Sequence, residues 1–198
     1  MTRTVEQKRQ LRRNQIIDSA ARIFARDGFH AARMDDIAAE LHLTKAALYY
    51  YCESKEDLFV KVIETRVGIA VDALENLEAA DTTASAKIRD AILVHLQVFH
   101  QHRDIYTMFL GERLRSISSD AASVVDEMGR RFERRWAEFL QEGITAGEFR
   151  TDLDVAVTVK ASLSMCNMTL TWFRPDGRLT IEELAERFGD LILGGISV

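Results

Sequence analysis

The twelve residues from Leu41 to Cys52 carry side chains suited to contacting a nucleic acid. They include a threonine, a lysine and three tyrosines but no acidic residue. Hydroxyl and ammonium groups bind phosphate oxygens, while small and aromatic side chains pack against base edges. Helical spacing gives this stretch an outward face consisting of Lys45, Ala46, Tyr49 and Tyr50. It gives an inward face consisting of Ala47, Leu48 and Tyr51.

Three short elements position this face. Ile37, Ala38 and Leu41 recur at helical spacing and predict a preceding helix. Thr44 can cap the middle helix, because its hydroxyl accepts an N–H group of the first turn. Ser54 begins a longer helix, with Asp57 at the reciprocal position of a capping box. The pattern is typical of a helix-turn-helix unit, although a short helix ending in three tyrosines could instead be a core wedge.

Positive charge is concentrated at the beginning of the chain. The formal net charge of the chain is −5, yet residues 1–33 hold eight Lys or Arg against three Asp or Glu. We interpret the first basic side chains as an arm that makes sequence-independent phosphate contacts, and a solvated terminus explains the same charges. The arm consists of Arg3, Lys8, Arg9, Arg12 and Arg13.

Four segments of the chain resemble the TetR family of transcriptional regulators. They are Phe24–Phe29, Met34–Ala38, Thr44–Tyr51 and Ser54–Leu58, within a match over roughly residues 10 to 70. The resemblance implies an all-α homodimer that binds palindromic double-stranded DNA and is released by a small molecule. The chain departs from the family pattern at three places, namely Ala32-Arg33 before the second helix, Leu41-His42 in the turn, and Cys52.

The departures predict local consequences. Ala32 and Arg33 replace the usual hydroxyl cap of the second helix, and His42 is expected at a positive-φ position that favours glycine. Within the resemblance, we expect Thr44, Tyr49 and Lys55 to contact the DNA backbone and Lys45, Ala46 and Tyr50 to lie near base edges. Arg33 completes the expected DNA-binding set.

Helical periodicity continues beyond the motif and predicts about nine helices. The longer predicted helices are Val5–Arg26, Lys55 to about Ala80, Ser85–His102, Asp104–Ser116, Asp120–Ala146, Asp154–Phe173 and Thr180–Gly194. We divide the chain into a DNA-binding domain over residues 1–54 and a larger effector-binding and dimerisation domain over residues 55–198. The helix that begins at Lys55 would join them.

The helix predicted over Val155–Phe173 has one charged residue, Lys160. A helix that is apolar all round must be covered all round, either by its own domain or by a second copy of the chain. We expect it to form a four-helix dimer interface together with the last helix. The expected interface residues are Val155, Val159, Leu184, Phe188, Leu191 and Ile192.

A second resemblance bears on the effector. The run from Trp172 to Thr180 resembles TetR regulators of lipid and steroid breakdown, some of which respond to acyl-CoA thioesters. Methionine and aromatic side chains with a few polar anchors are typical of small-molecule sites, although each could equally fill a core. The expected effector-binding residues are Phe99, Met108, Phe109, Trp136, Leu163, Asn167, Leu170 and Arg174.

The sequence therefore indicates a ligand-responsive repressor in the cytoplasm, without a cofactor, a metal site, catalytic residues or a membrane partner. His100 and His102 are two residues apart and would point away from each other on a helix, and no nucleophile and base stand together. No signal peptide opens the chain. The alternatives are a drug-efflux regulator that responds to cationic aromatics, an architectural DNA-binding protein and a small-molecule enzyme.

Overall fold

The computed structural model describes residues 4–78, 81–103, 105–106 and 119–198. These residues form eight helices, which we number α1 to α8, and one isolated β-bridge between Phe149 and Ser197. The helices are Val5–Ala31, Met34–Glu40, Lys45–Tyr49, Lys55–Glu78, Ala84–Gln101, Ser119–Thr145, Val155–Trp172 and Ile181–Ile196. The all-α prediction is confirmed. The further helix predicted over Asp104–Ser116 lies outside the described residues, apart from residues 105 and 106.

Side-chain caps fix where most helices begin. Thr4 and Gln7 form a capping box that begins α1 at Val5. Thr180 and Glu183 form the predicted box before α8. Single caps begin four more helices, namely Thr44 before α3, Ser54 before α4, Thr83 before α5 and Asp154 before α7. Since each cap satisfies an N–H group that the helix itself leaves unpaired, the helix boundaries follow from side-chain chemistry.

The turns depart from helical geometry at two positions. Gly28 has φ 77° and breaks the helical path inside α1, in agreement with the predicted end of the first helix. His42 has φ 54°, as expected from its place in the turn between α2 and α3. Before α2, Arg33 occupies the N-cap position and makes no capping hydrogen bond through its side chain. The unusual cap is thus confirmed.

The described residues divide into two compact units. The first consists of Met1–Arg66 with Asp104–Asp126, as far as these are described. Its core contains the rings of Phe24, Phe29 and Phe59, whose centroids are 4.9 to 5.8 Å apart. Ile37 and Leu48 are fully buried in the same unit. The helix-turn-helix segment therefore has a core of its own.

The second unit consists of Val67–Arg103 with Glu127–Val198. In it, α5 packs against both α7 and α8. The Glu148 carboxylate accepts hydrogen bonds from the backbone N–H groups of Ala84 and Ser85, at 2.8 and 3.0 Å, and from the Ser85 hydroxyl at 2.7 Å. These bonds, led by the one from the hydroxyl, lower the pKa of Glu148. The turn after α6 is thereby tied to the beginning of α5.

The close approach of Gly143 to Phe149 gives a prediction about stability. A Cβ atom at Gly143 would lie 2.1 Å from the buried Phe149 ring, whereas one at Gly129 would meet no described atom within 4 Å. We expect Gly143→Ala to lower the free energy of unfolding by about 1–3 kcal/mol through overpacking. Gly129→Ala, the matched control on the same helix, should raise it by about 0.5–1 kcal/mol. Urea unfolding of both variants measures this, and equal effects would contradict it.

Candidate nucleic-acid interface and effector site

Helix α3 presents the face that its sequence predicts. The Thr44 hydroxyl accepts from the Ala47 N–H at 3.2 Å, which confirms the expected cap. Leu48 is fully buried, while Ala47 and Tyr51 are half-buried. The outward residues are exposed, and they are Lys45, Ala46, Tyr49 and Tyr50. The small side chain of Ala46 allows the helix backbone to approach a surface closely.

Basic side chains of α1 lie against Leu41, in the turn between α2 and α3, and against Tyr50 at the end of α3. Arg12 donates a hydrogen bond to the Leu41 carbonyl at 3.1 Å, and the Arg9 guanidinium lies 5.6 Å from the Tyr50 ring centroid. The sequence analysis assigned Arg9 and Arg12 to a basic arm and also predicted a helix that begins at Val5. The capping box at Thr4 begins α1 at Val5, so Lys8 to Arg13 belong to the helix and the arm assignment is corrected.

Two of the expected DNA contacts are engaged within the chain. The Lys55 ammonium donates to the carbonyls of His30 and Ala32, at 3.1 and 3.2 Å, and lies 4.8 Å from the Phe29 ring centroid. Lys45 forms an exposed ion pair with Asp35 at 3.2 Å. Lys55 therefore braces the segment after Gly28. No sequence pattern indicates this role, because the partners are backbone carbonyls more than twenty residues away.

The end of α4 nearest the turn is fixed by Asp57. Its backbone N–H donates to the Ser54 hydroxyl at 3.0 Å, as a capping box requires. Its carboxylate accepts from the Glu53 N–H at 2.8 Å rather than from that of Ser54. The carboxylate also pairs with Lys61 at 2.6 Å, and Lys61 donates to the Tyr51 carbonyl at 3.2 Å. These contacts tie Tyr51 and Glu53, which follow α3, to the beginning of α4.

The residues predicted to bind an effector occupy different environments in the second unit. Four are buried, namely Phe99, Trp136, Leu163 and Leu170. Asn167 is half-buried and Arg174 is exposed. Met108 and Phe109 lie outside the described residues. The four buried residues come from α5, α6 and α7, so an apolar ligand among these helices would meet side chains of all three.

A buried histidine that the sequence interpretation did not assign to the effector site lies among them. His95 is 1% exposed and its Nε2 lies 3.0 Å from the Asn167 amide oxygen. Its ring stacks on Phe99 with centroids 3.9 Å apart, and Phe132 and Trp136 lie at 5.5 and 6.3 Å. Burial lowers the pKa of His95 to about 3, against a smaller opposing effect of its Asn167 bond. The ring is therefore neutral at neutral pH.

A second histidine repeats the arrangement further along α5. His100 Nε2 lies 2.8 Å from the Thr169 hydroxyl, which itself donates to the Cys166 carbonyl at 2.6 Å. In the described part of the second unit, three buried side-chain nitrogens have no hydrogen-bond partner, namely His95 Nδ1, His100 Nδ1 and Trp136 Nε1. A buried polar group without a partner costs about 1–3 kcal/mol. The unpaired nitrogens of His95 and Trp136 lie in rings that contact other aromatic rings, and they mark this region as a candidate ligand site. The signal available in the sequence was a histidine on the apolar face of α5.

Both cysteines are buried as free thiols. Burial raises the pKa of the Cys166 thiol to about 12, and it also raises that of Cys52. Among the described residues, no three metal-binding side chains come close enough together to hold an ion. None of the described helices combines the length and the apolar character needed to cross a membrane.

Hydrogen bonds to backbone carbonyls hold the turn that follows α7. Arg103 donates to the carbonyls of Leu170 and Phe173, at 2.5 and 3.0 Å. The Gly177 N–H donates to the Arg174 carbonyl at 2.9 Å, and a Cβ at Gly177 would lie 2.9 Å from that oxygen. The glycine is thus required by the closeness of the turn, while the Arg174 side chain faces solvent.

An apolar stripe is exposed on α7, and apolar residues are also exposed on α8, whose Phe188 ring centroid lies 6.5 Å from that of Trp172. On α7 the exposed positions recur at helical spacing, and they include Val157, Ala161, Ser164, Met168 and Trp172. On α8 they include Leu191, Gly194 and Gly195. Of the residues expected at a dimer interface, Val159 and Leu184 are buried in the protomer's own core. Val155, Phe188 and Ile192 are half-buried, and Leu191 is 66% exposed.

Comparisons with known proteins agree with this arrangement. The family model for bacterial regulatory proteins of the tetR family matches residues 16–62, and that for the tetracyclin repressor-like C-terminal domain matches residues 81–196. The chain is 23% identical to the transcriptional repressor KstR2 of Mycobacterium tuberculosis over 186 residues, 94% of this chain and 93% of that protein.

Two solved structures are similar over nearly the whole chain. The TetR family regulator PfmR from Thermus thermophilus has a TM-score of 0.79 at 31% identity, covering 90% of this chain and 97% of PfmR. The regulator FadR from Bacillus subtilis, solved with stearoyl-CoA, has a TM-score of 0.79 at 23% identity, covering 92% and 98%. At that lower identity, the likeness to FadR concerns the fold alone.

The buried His95 gives a prediction about acid stability. Its folded pKa lies below the ordinary unfolded value of about 6.5, so the unfolded chain binds a proton first as the pH falls. Between pH 7 and pH 5, this linkage should lower the free energy of unfolding by about 2 kcal/mol. His95→Gln should lose correspondingly less stability over the same interval, measured by urea unfolding at fixed protein concentration. Equal losses in both proteins would show that His95 does not contribute.

Proposed function

Because the chain belongs to the TetR family of bacterial regulatory proteins, we propose that it is a transcriptional repressor that binds a palindromic operator as a homodimer and is released by an apolar or acyl-CoA effector. The observation that carries the proposal is the outward face of α3. There a capped helix with a buried Leu48 exposes small, basic and aromatic side chains to a surface. Such a helix fits the major groove.

In this proposal α3 enters the groove and its neighbours hold the DNA backbone. Thr44 and Tyr49 bind phosphate oxygens, and Lys45, Ala46 and Tyr50 lie near base edges. Arg33, exposed before α2, adds a phosphate contact. Lys55 has two of its donors engaged by carbonyls of its own chain, so its contribution is a third N–H group and the support of the loop.

The functional division we propose places DNA binding in residues 1–54 and effector binding with dimerisation in residues 55–198. Helix α4 joins the two parts along the chain, since it begins at Lys55 and continues to Glu78. A single continuous helix gives the effector region a direct covalent path to the DNA-binding region.

We place the dimer interface on the exposed stripe of α7 and α8. The stripe is free of charge on α7, and Gly194 and Gly195 allow a second helix to approach closely, since an added Cβ would meet no described atom within 4 Å. Leu191, Phe188, Ile192 and Val155 belong to this surface or its rim. Val159 and Leu184 support it from within the protomer.

The effector we propose is an apolar group, with an acyl-CoA thioester as the main candidate. Buried residues of α5, α6 and α7 supply the apolar contacts, namely Phe99, Trp136, Leu163 and Leu170. A surface pocket of about 230 Å³ on the same unit is lined by Arg130, Arg134 and Lys160, together with Glu133. Guanidinium and ammonium groups are suited to phosphate oxygens. The complex of FadR with stearoyl-CoA supports this class by analogy.

One alternative has an observation in its favour. Another surface pocket, of about 300 Å³, is lined by Asp90, Glu182, Glu183 and Glu186, together with Arg89. Acidic lining suits a cationic aromatic ligand, so a regulator of drug efflux is the second candidate. We propose no catalytic role and no cofactor, and we place the protein in the cytoplasm, where its operator would be.

Base reading and backbone binding should separate in two variants. Arg33→Ala should weaken binding to all operator variants alike and reduce the slope of log affinity against log salt by about one unit. Tyr50→Ala should instead change the preference among operator variants. Fluorescence anisotropy across a salt series measures both. Arg178→Ala, which removes an exposed charge from the second unit, is the control. A uniform loss from Tyr50→Ala would exclude base reading by that residue.

The interface proposal is tested by introducing a charge on the stripe. Leu191→Glu should weaken dimerisation at least about a hundredfold, because an unpaired charge would be buried in an apolar contact. Operator affinity should fall with it, while the melting of the protomer is retained. Ile69→Glu, at another exposed apolar position, is the matched control. An intact Leu191→Glu dimer in sedimentation velocity would place the interface elsewhere.

Release from DNA decides between the effector classes. We expect long-chain acyl-CoA thioesters to reduce operator binding of the wild-type protein, measured by mobility shift, at concentrations where CoA alone and cationic aromatics do not. A dose-dependent release by cationic aromatics alone would favour the efflux hypothesis. No release by any member of the panel would contradict an apolar effector.

A further inference from the structure

The bonding of Asn167 fixes which nitrogen of His95 carries the proton. The atom 3.0 Å from His95 Nε2 is the Asn167 amide oxygen, which only accepts hydrogen bonds. Nε2 is therefore the protonated nitrogen, and Nδ1 carries a lone pair. The neutral state of the ring agrees with its complete burial. His95 thus presents a buried acceptor that has no partner in the described chain.

Trp136 supplies the complementary group. Its indole is fully buried, and its Nε1–H has no acceptor among the described residues. The His95 and Trp136 ring centroids lie 6.3 Å apart, with their planes at 89°. Two further aromatic rings contact His95, since Phe99 stacks on it and the Phe132 ring centroid lies 5.5 Å away. One unpaired acceptor and one unpaired donor therefore belong to two neighbouring buried rings.

The chemistry of this pair selects among ligand groups. A hydrocarbon, a thioether or a halogen cannot donate to Nδ1. A carboxylate or an ammonium would bring an uncompensated charge among aromatic rings, which is strongly unfavourable. A hydroxyl group is neutral, donates one hydrogen bond and accepts others. A buried water has the same abilities and is the competing occupant.

We propose that His95 Nδ1 and Trp136 Nε1 bind a hydroxyl group at the buried end of the effector, so that the effector is an apolar molecule carrying an alcohol. This inference rests on the proposed function in placing the effector among α5, α6 and α7. It adds that His95 and Trp136 are specificity residues, which discriminate a hydroxylated skeleton from a plain one of the same size.

The test compares 1-decanol with 1-chlorodecane, two chains of similar length that differ in the ability to donate a hydrogen bond. The chloride is the more apolar molecule, so simple partitioning into an apolar site would favour it. We expect the wild-type protein to bind the alcohol at least about tenfold more tightly, measured by competition with a fluorescent apolar probe.

Variants at His95 separate the two ring nitrogens. His95→Gln supplies an amide near Nε2 but no acceptor near Nδ1, and it should lose the preference for the alcohol. His95→Asn supplies an acceptor near Nδ1 and should retain it. Trp136→Phe, which keeps an aromatic ring without the N–H group, should reduce the preference independently of His95. Thermal melting of each variant establishes that it is folded.

Three outcomes would be decisive. Equal or tighter binding of 1-chlorodecane to the wild-type protein overturns the inference. So does a preference that His95→Gln retains, because a group other than His95 Nδ1 would then accept from the hydroxyl. If the preference is present and lost as expected, the inference is supported even where no acyl-CoA releases the operator, and that result counts against the proposed effector class alone.

Discussion

Helix α7 has one charged residue in eighteen. Because its surface is mostly apolar, the packing of the second unit must keep water away from it. One side of α7 packs against α5, and Leu163, Cys166 and Thr169 of α7 are buried. The opposite side carries the exposed stripe. A helix with such a surface is stable only if both sides find cover. The same element therefore accounts for the candidate ligand region on its inner side and for the proposed interface on its outer side.

In this unit the polar groups at helix ends and turns have hydrogen-bond partners, whereas two buried side chains between the helices have polar atoms without one. Glu148 completes the beginning of α5, and Arg103 completes the end of α7. By contrast, His95 and Trp136 keep an acceptor and a donor without partners in the described chain. Native proteins pair nearly all such groups, and the exceptions tend to mark function. The contrast within one unit distinguishes structural polar contacts from those available to a ligand.

Sequence periodicity predicted much of the fold because it reports which face of each helix avoids water. The in-and-out division around Leu48 and the cap at Thr44 followed from such local information. The positive φ of His42 was expected from the resemblance to the TetR family instead. Pairing between distant segments could not be predicted in this way. The His95–Asn167 bond joins residues 72 positions apart, and Lys55 binds carbonyls of another helix. The burial of Val159 and Leu184 within the protomer could not be predicted for the same reason. Periodicity identifies an apolar face but not the element that covers it.

The two thiols have a physiological consequence. Cys52 lies at the end of the recognition segment and Cys166 lies beside the candidate ligand region, yet both are buried and burial raises both pKa values. Oxidants and electrophiles react with the thiolate, which neither residue provides at neutral pH. The chain contains no other cysteine. The two thiols are thus expected to give this regulator no cysteine-based response to oxidants.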